Sequence, residues 1–469
     1  MRKTLCTLLL AALAALPASA QELRTAYFMQ NAQYKHELNP ALLDGPYVSM
    51  PLFFGYMNVG TEGNLGLKKL VYKMEPGWQG YNVGGRTLTT FLHPQVDSGD
   101  FLGSLRERNT LGVHLKYSLL GVAFKGFKGN NLIELNLRSN TTASMPKSLF
   151  DFMKNAGAKD EYKLGNIGLR SESYMEIALG HQHNIGEKLS IGAKMKLLLG
   201  LAYADLDVKK LDVRLADDRW SVDGDASLSA AVLSSDFKYK DDDFDPATGR
   251  RRVEGVDNIS GGLAGAGVAF DLGATYKVLP DLTVSASLTD LGFINWKGVK
   301  KGSSKAEWSF EGFKKDIYTG GGNEDGNKLS DQFDAIGDDL EDLFAVYDDG
   351  EGKESRALAA TLNIGADYTL PVWGGRIHTG FLYSSRIQGR YSWHQGMFSA
   401  TVRPVKCLEV GASVGFTSAG VTGGLMLDLR AKHFNFFVGT DRIMGKVSKE
   451  GIPLNSSNAN IAVGISFPM

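Results

Sequence analysis

The stretch that decides the fold is ALAATLNIGADYTL, Ala357–Leu370. Leu358, Ala360, Leu362, Ile364, Ala366, Tyr368 and Leu370 share one parity; Ala359, Thr361, Asn363, Gly365, Asp367 and Thr369 share the other. Strict alternation of this length exceeds the ~5–6 residues of an ordinary soluble strand. It matches a tilted strand crossing a bilayer, which needs ~9–11 residues. On such a strand the apolar parity faces lipid and the polar or small parity faces a lumen.

Working outward, the pattern repeats to the C-terminus over 377–385, 391–403, 408–417, 421–430, 434–441 and 458–467. Upstream it occurs over 47–59, 110–127, 132–142, 173–183, 189–201, 262–277 and 282–291, with an apolar parity shift near Leu119-Leu120 that predicts a bulge. The count is about 14, an even number as single-chain bacterial barrels have. The turns at Lys128, Asn184, Leu279, Pro371, Pro404 and Ala431 are short and all fall on one rim. That sorting predicts an all-β, transmembrane antiparallel barrel with long extracellular loops. A soluble sandwich has no reason to sort its connections this way.

The N-terminus reads as a secretory signal. Arg2 and Lys3 precede an apolar run, Leu8–Leu16, and Ala18-Ser19-Ala20 offers a small-residue cleavage site. The expected division is residues 1–20 signal peptide, 21–46 an N-terminal plug segment, and 47–469 the barrel. Two inserts, 204–260 and 293–355, lie outside. Beyond the signal no apolar run reaches the ~18 residues of a membrane helix. A mean hydropathy of −0.15 suits alternating strands as well as a soluble chain and so decides nothing. Net charge of −1 gives no electrostatic case for nucleic acid. With Cys6 in the signal, Cys407 is left alone, which rules out an intramolecular disulfide or thiolate cluster.

Lumen-facing charge is the informative set of candidates. Glu134, Arg138, Lys194, Lys196, Asp271, Asp367, Asp428 and Arg430 take the inward parity. They form either a salt-bridge lattice or a polar path for solute. Other constellations are weaker. The run Asp241–Asp245, with Asp223 and Asp225, lacks Ca²⁺-loop spacing and reads as a solvated loop. His181 and His183 share a strand face without a third ligand. His378, His394, Ser392 and Ser399 lie on neighbouring strands, but nothing positions an acid or an oxyanion hole. Leu329, Phe333, Ile336, Leu340 and Phe344 have helical spacing above an acidic face and predict a helix on the barrel mouth. Aromatic girdles are expected at Tyr276, Tyr368, Trp373 and Phe434 on one rim and Tyr383, Tyr391, Trp393 and Trp296 on the other. No enzyme, cofactor or metal is expected.

Before the first strand, Leu38-Asn39-Pro40-Ala41-Leu42 breaks any regular strand, because Pro40 removes a donor and biases Asn39. That stretch, with Ala26–Met29, Ser144–Phe150, Ile191–Lys196 and Thr289–Trp296, resembles an outer-membrane barrel family of Bacteroidota described as a domain of unknown function. More distantly, Asn39, Pro40, Ala41 and the strand count resemble FadL-type transporters of long-chain fatty acids and barrels of the type IX secretion system. The resemblance implies an outer-membrane location, a plug around Asn39–Ala41, and a FadL-like channel or transporter for small hydrophobic molecules. The alternative is a non-transporting barrel that scaffolds a secretion or surface complex. Outer-membrane lipid is the expected surrounding in both cases.

Overall fold

The computed structural model describes residues 23–50, 55–85, 87–232, 236–245, 248–257, 262–311, 345–417, 420–442 and 460–469. The signal peptide and the expected helix over 329–344 lie outside the described residues.

Fourteen antiparallel strands close into a barrel. β1 is made of two pieces, Tyr47–Ser49 and Met57–Gly63. Next come β2 (Arg108–Gly126), β3 (Gly129–Pro146), β4 (Ile167–Ile185) and β5 (Leu189–Leu215). β6 (Gly265–Leu279), β7 (Leu282–Phe310), β8 (Ala360–Leu370) and β9 (Ile377–Ile387) follow. The last are β10 (Trp393–Val405), β11 (Leu408–Thr417), β12 (Gly420–Arg430), β13 (Asn435–Thr440) and β14 (Asn460–Pro468). Each pairs with the next, and β1 closes the ring by pairing with both β2 and β14. Closure removes the free edges that an open sheet cannot leave in lipid. No described helix is long and apolar enough to cross a membrane.

The sequence pattern expects one continuous first strand over 47–59. Instead the described residues form two pieces, and Met50, Gly55 and Tyr56 between them lie outside the strand. The bulge expected near Leu119-Leu120 is present as a register shift between Ser118 and Leu120. Between β1 and β2 lie a single helical turn, Leu67–Leu70, and a short helix, Ser98–Ser104. A third, Lys147–Asn155, packs Phe150 against Phe91 and Phe101 in a small apolar cap on the rim with the long connections.

The wall has two faces. Outward, Ile133, Leu179, Met195, Leu197, Phe270, Leu272, Ile364, Phe398, Val414 and Leu425 are exposed as an apolar band. Their inward neighbours are buried and mostly polar, glycine or alanine. Tyr276, Tyr368, Trp373 and Phe434 are exposed at the rim with the short turns, as a girdle requires. At the other rim the expectation fails for Trp296 and Tyr391, which are buried. Trp296 turns inward and stacks on Tyr203, with ring centroids 5.2 Å apart. The cause is a bulge: Asp290 adopts φ +58°, the register shifts opposite Phe270–Leu272, and the facing of β7 reverses beyond it.

The largest departure concerns the insert over 204–260, expected as a solvated loop. β5 and β7 run to 27 and 29 residues, on the order of 90 Å at ~3.3 Å per residue, against a ~30 Å hydrocarbon core. Above β6, the strand Trp220–Val232 takes its slot between them. Val346–Ala357 likewise continues the slot of β8, and Arg251–Asp257 and Asp236–Phe244 add to its edge. The result is an ordered β-arm rising from one side of the barrel. Several of its acidic residues are used in ion pairs: Asp223 with Lys210, Asp243 with Arg252 and Lys240, Asp245 with Arg250.

A charged latch inside the barrel

Residues 23–46 form no ladder with the wall and lie inside the barrel, as short 3-10 turns at Arg24–Ala26, Gln33–Glu37 and Pro40–Leu42. Irregular backbone at this depth must find its hydrogen bonds elsewhere. Two wall carboxylates supply them. Asp441 accepts from the backbone N–H groups of Arg24 (2.6 Å) and Thr25 (2.7 Å) and from Thr25 Oγ1 (2.6 Å). Glu409 accepts from the backbone N–H groups of Gln30 (2.9 Å) and Asn31 (2.7 Å).

Asn39-Pro40-Ala41 is a cap in miniature. Asn39 Oδ1 accepts from Ala41 N at 3.0 Å, and Pro40 occupies the position where a missing donor is harmless. The Leu38 carbonyl accepts from Ser287 Oγ and Asn363 Nδ2. The wall is pared away at this point. A Cβ at Gly192 would lie 2.3 Å from the Pro40 carbonyl carbon, and one at Gly273 would lie 2.0 Å from Asn39 Oδ1.

The charged centre is built around Glu37, from the segment, and its neighbour His36. Glu37 pairs with Lys116 of β2, Lys194 of β5 (3.1 Å) and Arg138 of β3 (3.6 Å). Lys194 Nζ also lies 3.3 Å from Glu134 and 2.9 Å from His36 Nδ1. An ammonium has donors and no acceptor, so His36 Nδ1 must accept and the ring is neutral, with Nε2–H facing Tyr47 Oη at 2.8 Å. His36 is accordingly held well below its ordinary pKa, first by burial and then by Lys194. Burial opposes ionisation of Glu37, but Lys116 and Lys194 outweigh it and keep its carboxyl well below the usual range.

The network continues along the wall. Arg138 Nε meets Glu176 (3.0 Å) and its Nη1 meets Asp290 (3.1 Å). Lys196 Nζ meets Asp290 (2.6 Å) and Asp271 (2.7 Å). Four cations thus face five carboxylates in a buried cluster. His36, Glu37 and Glu134 have metal-ligand chemistry, yet the Lys194 ammonium already lies within 3.3 Å of all three and occupies the place a cation would take.

Of the candidates drawn from the sequence, Glu134, Arg138, Lys194, Lys196 and Asp271 come together here. Asp367, Asp428 and Arg430 lie apart. Asp367 is 3.5 Å from His378, Asp428 accepts from Asn435 at 2.9 Å, and Arg430 is half-buried at the short-turn rim. The hydrolase set is not assembled. His378 and Ser399 face the lumen, whereas His394 is exposed on the outer face beside Tyr383. His181 and His183 stack at 5.9 Å, and His181 bonds Asn131. Sequence reasoning missed Glu37, Lys116, Glu176 and Asp290. Lys116 and Glu176 carry the inward parity and were within its reach. Glu37 lies on no strand, and Asp290 reaches the lumen only through its bulge.

The chain is similar to several solved barrels. These include a FadL homologue from Pseudomonas aeruginosa (8% identity, 96% of this chain and 99% of that one, TM-score 0.43). The toluene transporter TodX of Pseudomonas putida gives 10%, 94%, 93% and 0.37 on the same measures. The toluene transporter TbuX of Ralstonia pickettii gives 8%, 96%, 95% and 0.36. No curated protein sequence matches. A family model spans residues 40–441, from the Pro40 turn to the Asp441 anchor, and the chain belongs to that family, DUF5723, a family of unknown function.

Proposed function

We propose that this protein is an outer-membrane channel held closed by its own N-terminal plug, residues 21–46, and that small hydrophobic molecules pass when the plug yields. The observation that carries the reading is how the segment is held. It touches the wall all round the lumen through side-chain hydrogen bonds, ion pairs and apolar contacts, with no ladder to unzip. Such contacts can be exchanged one set for another without breaking the barrel. The hydrophobic cargo class is supported by the seam between plug and wall. There a cavity of about 10 Å³ is lined by Leu23, Ala26, Tyr34, Leu38, Tyr56, Met426 and Phe437. At that size it holds at most about one water, so passage requires the plug to shift.

A second reading has its own support. The ordered β-arm serves no purpose in crossing the bilayer, and the lumen is filled, which suits a barrel that scaffolds a surface or secretion complex.

Deleting Glu22–Leu38 separates the two. A channel should gain single-channel conductance in planar bilayers while still migrating as a heat-modifiable barrel on gels. A barrel that assembles and stays closed after the deletion sinks the channel reading and favours the scaffold. Recovery of the full chain from the soluble periplasm would sink both.

A further inference from the structure

The six short turns share a composition that the rest of the chain lacks. Residues 125–129, 184–188, 277–281, 371–376, 403–407 and 430–434 hold nine lysines and arginines against two carboxylates, Glu187 and Asp281, in a chain of net charge −1. The remainder is therefore acidic, and positive charge gathers on one rim. Four of these cations, Lys128, Arg376, Lys406 and Lys432, lie in the turns themselves; they are exposed and form no ion pair among the described residues. Like charges are even brought together. The Arg403 N–H donates to the Arg376 carbonyl at 2.9 Å, so the two arginines stand opposite each other at the foot of β9 and β10, an arrangement that costs stability. Arg376 Nη1 also donates to the Pro404 carbonyl (2.9 Å), and its guanidinium lies 5.8 Å from the centre of the Trp373 ring.

Each of the six turns also exposes a large apolar side chain beside its cation: Phe127, Ile185, Leu279, Trp373, Val405 and Phe434. Scattered exposed apolar residues are ordinary, but one in every turn of a single rim is a pattern. Phe127 is 83% exposed, a placement that water penalises and an acyl boundary favours. Cations alone would suit any anionic surface. Cations interleaved with apolar side chains suit one that is charged at its face and apolar just beneath, as a phospholipid leaflet is and an acidic protein is not.

We infer that the short-turn rim is a binding surface for anionic phospholipid, with Lys128, Arg376, Lys406 and Lys432 on the headgroup phosphates and their apolar neighbours at the acyl boundary. Short turns face the periplasm in outer-membrane barrels, so the leaflet is the inner one. Turns of this length keep the cations within the ~10 Å over which the charge of a lipid surface is felt at ~0.1 M salt. The three turns from β8 to β13, which carry Arg376, Arg403, Lys406 and Lys432, contain no carboxylate and form the strongest part of the surface.

The inference rests on the outer-membrane reading and not on the passage of cargo. The test reconstitutes the full chain in phosphatidylcholine vesicles. Electron spin resonance then reads the fraction of spin-labelled phosphatidylglycerol or phosphatidylcholine immobilised at the barrel. A preference of about threefold or more for phosphatidylglycerol is expected at ~0.1 M salt, falling toward one at ~1 M. The variant Lys128→Gln/Arg376→Gln/Lys406→Gln/Lys432→Gln should lose the preference, whereas Lys73→Gln/Arg106→Gln, on the opposite rim, should keep it. Heat-modifiable migration checks that each variant assembles; if the fourfold variant does not, Lys406→Gln/Lys432→Gln replaces it, with a smaller loss expected. A chain that does not enter the vesicles sinks the membrane barrel and this surface together. An inserted barrel that immobilises both lipids equally, or a charge-removed variant that keeps the preference, overturns this surface alone and leaves the cations to a soluble acidic partner.

Discussion

The two sides of the lumen hold the same plug by different chemistry. Across β2–β7 the inward residues include Lys116, Glu134, Arg138, Glu176, Lys194, Lys196 and Asp271, and three of them, Lys116, Arg138 and Lys194, grip one carboxylate, Glu37. Across β9–β14 the apolar and small residues Leu382, Met397, Gly411, Met426, Phe437, Gly439 and Ala462 receive Leu23, Phe28 and Met29, beside Glu409 and Asp441, which accept from the plug backbone. Glycines make the room there: a Cβ at Gly380 would lie 2.4 Å from the Phe28 ring. Apolar contact is roughly proportional to area and has no preferred direction, so it holds the plug without fixing its register. The buried ions are directional and leave a large penalty when mispaired, so they specify one seating. One side supplies most of the apolar area; position comes from the ions on the other side together with the backbone anchors Glu409 and Asp441.

Breaking the charged side should have the largest effect. Glu37→Ala leaves Lys116, Lys194 and Arg138 without their common partner, a loss of about 3–5 kcal/mol in plug seating. Buried Lys35 should then become a rapid tryptic site in otherwise intact barrels. Resistance equal to that of the parent protein would show that the latch does not hold the plug.

The lipid face gives the next largest effect and tests the inside–outside assignment. Ile364 is about half exposed on the outer band, and an arginine near the midplane costs about 2–4 kcal/mol. Gly365→Ser faces the plug, where its Cβ would come within 3.1 Å of Tyr27 and 2.8 Å of Ser285 Oγ. Folding yield into lipid vesicles should fall more for Ile364→Arg, and equal yields would invert the facing of β8.

On the apolar side the same assays should barely respond. Met426→Leu conserves volume and should change the unfolding free energy measured in urea by less than about 1.5 kcal/mol, with the tryptic pattern unchanged. Plug release by this swap would mean that the apolar side also fixes register.

Mild acid should give the smallest response. His36 is neutral in the seated plug, faced by Lys194, Glu37, Glu134, Lys116, Lys35 and Tyr47. Because its seated pKa is depressed, its contribution is present above the ordinary value of 6.5 and declines as pH falls below it. Glu37 has the same sign at lower pH, below 4.5. Tryptic sensitivity at Lys35 should rise modestly as pH is lowered from 7.5 to 5.5; a fall would mean that His36 is charged, and not neutral, in the seated plug.

The strands, their count and the facing of most wall residues were legible in the sequence, because period-2 alternation is a local property of the chain. Alternation placed Glu134, Arg138, Lys194 and Lys196 inside, and the Pro40 break marked the segment ahead of the first strand, described over 23–46, as no part of the sheet. Three matters belonged to the tertiary structure alone. Asp290 and Trp296 face inward because one bulge resets the parity of β7, and a bulge depends on the register of the neighbouring strand. The acidic insert is a β-arm because β5 and β7 offer it a slot above β6, a pairing between segments far apart in sequence. Glu37 became the centre of the latch because closing the ring brings β2, β3 and β5 around a segment that carries no periodicity of its own. Local pattern decides which way a side chain points, and only closure decides what it meets.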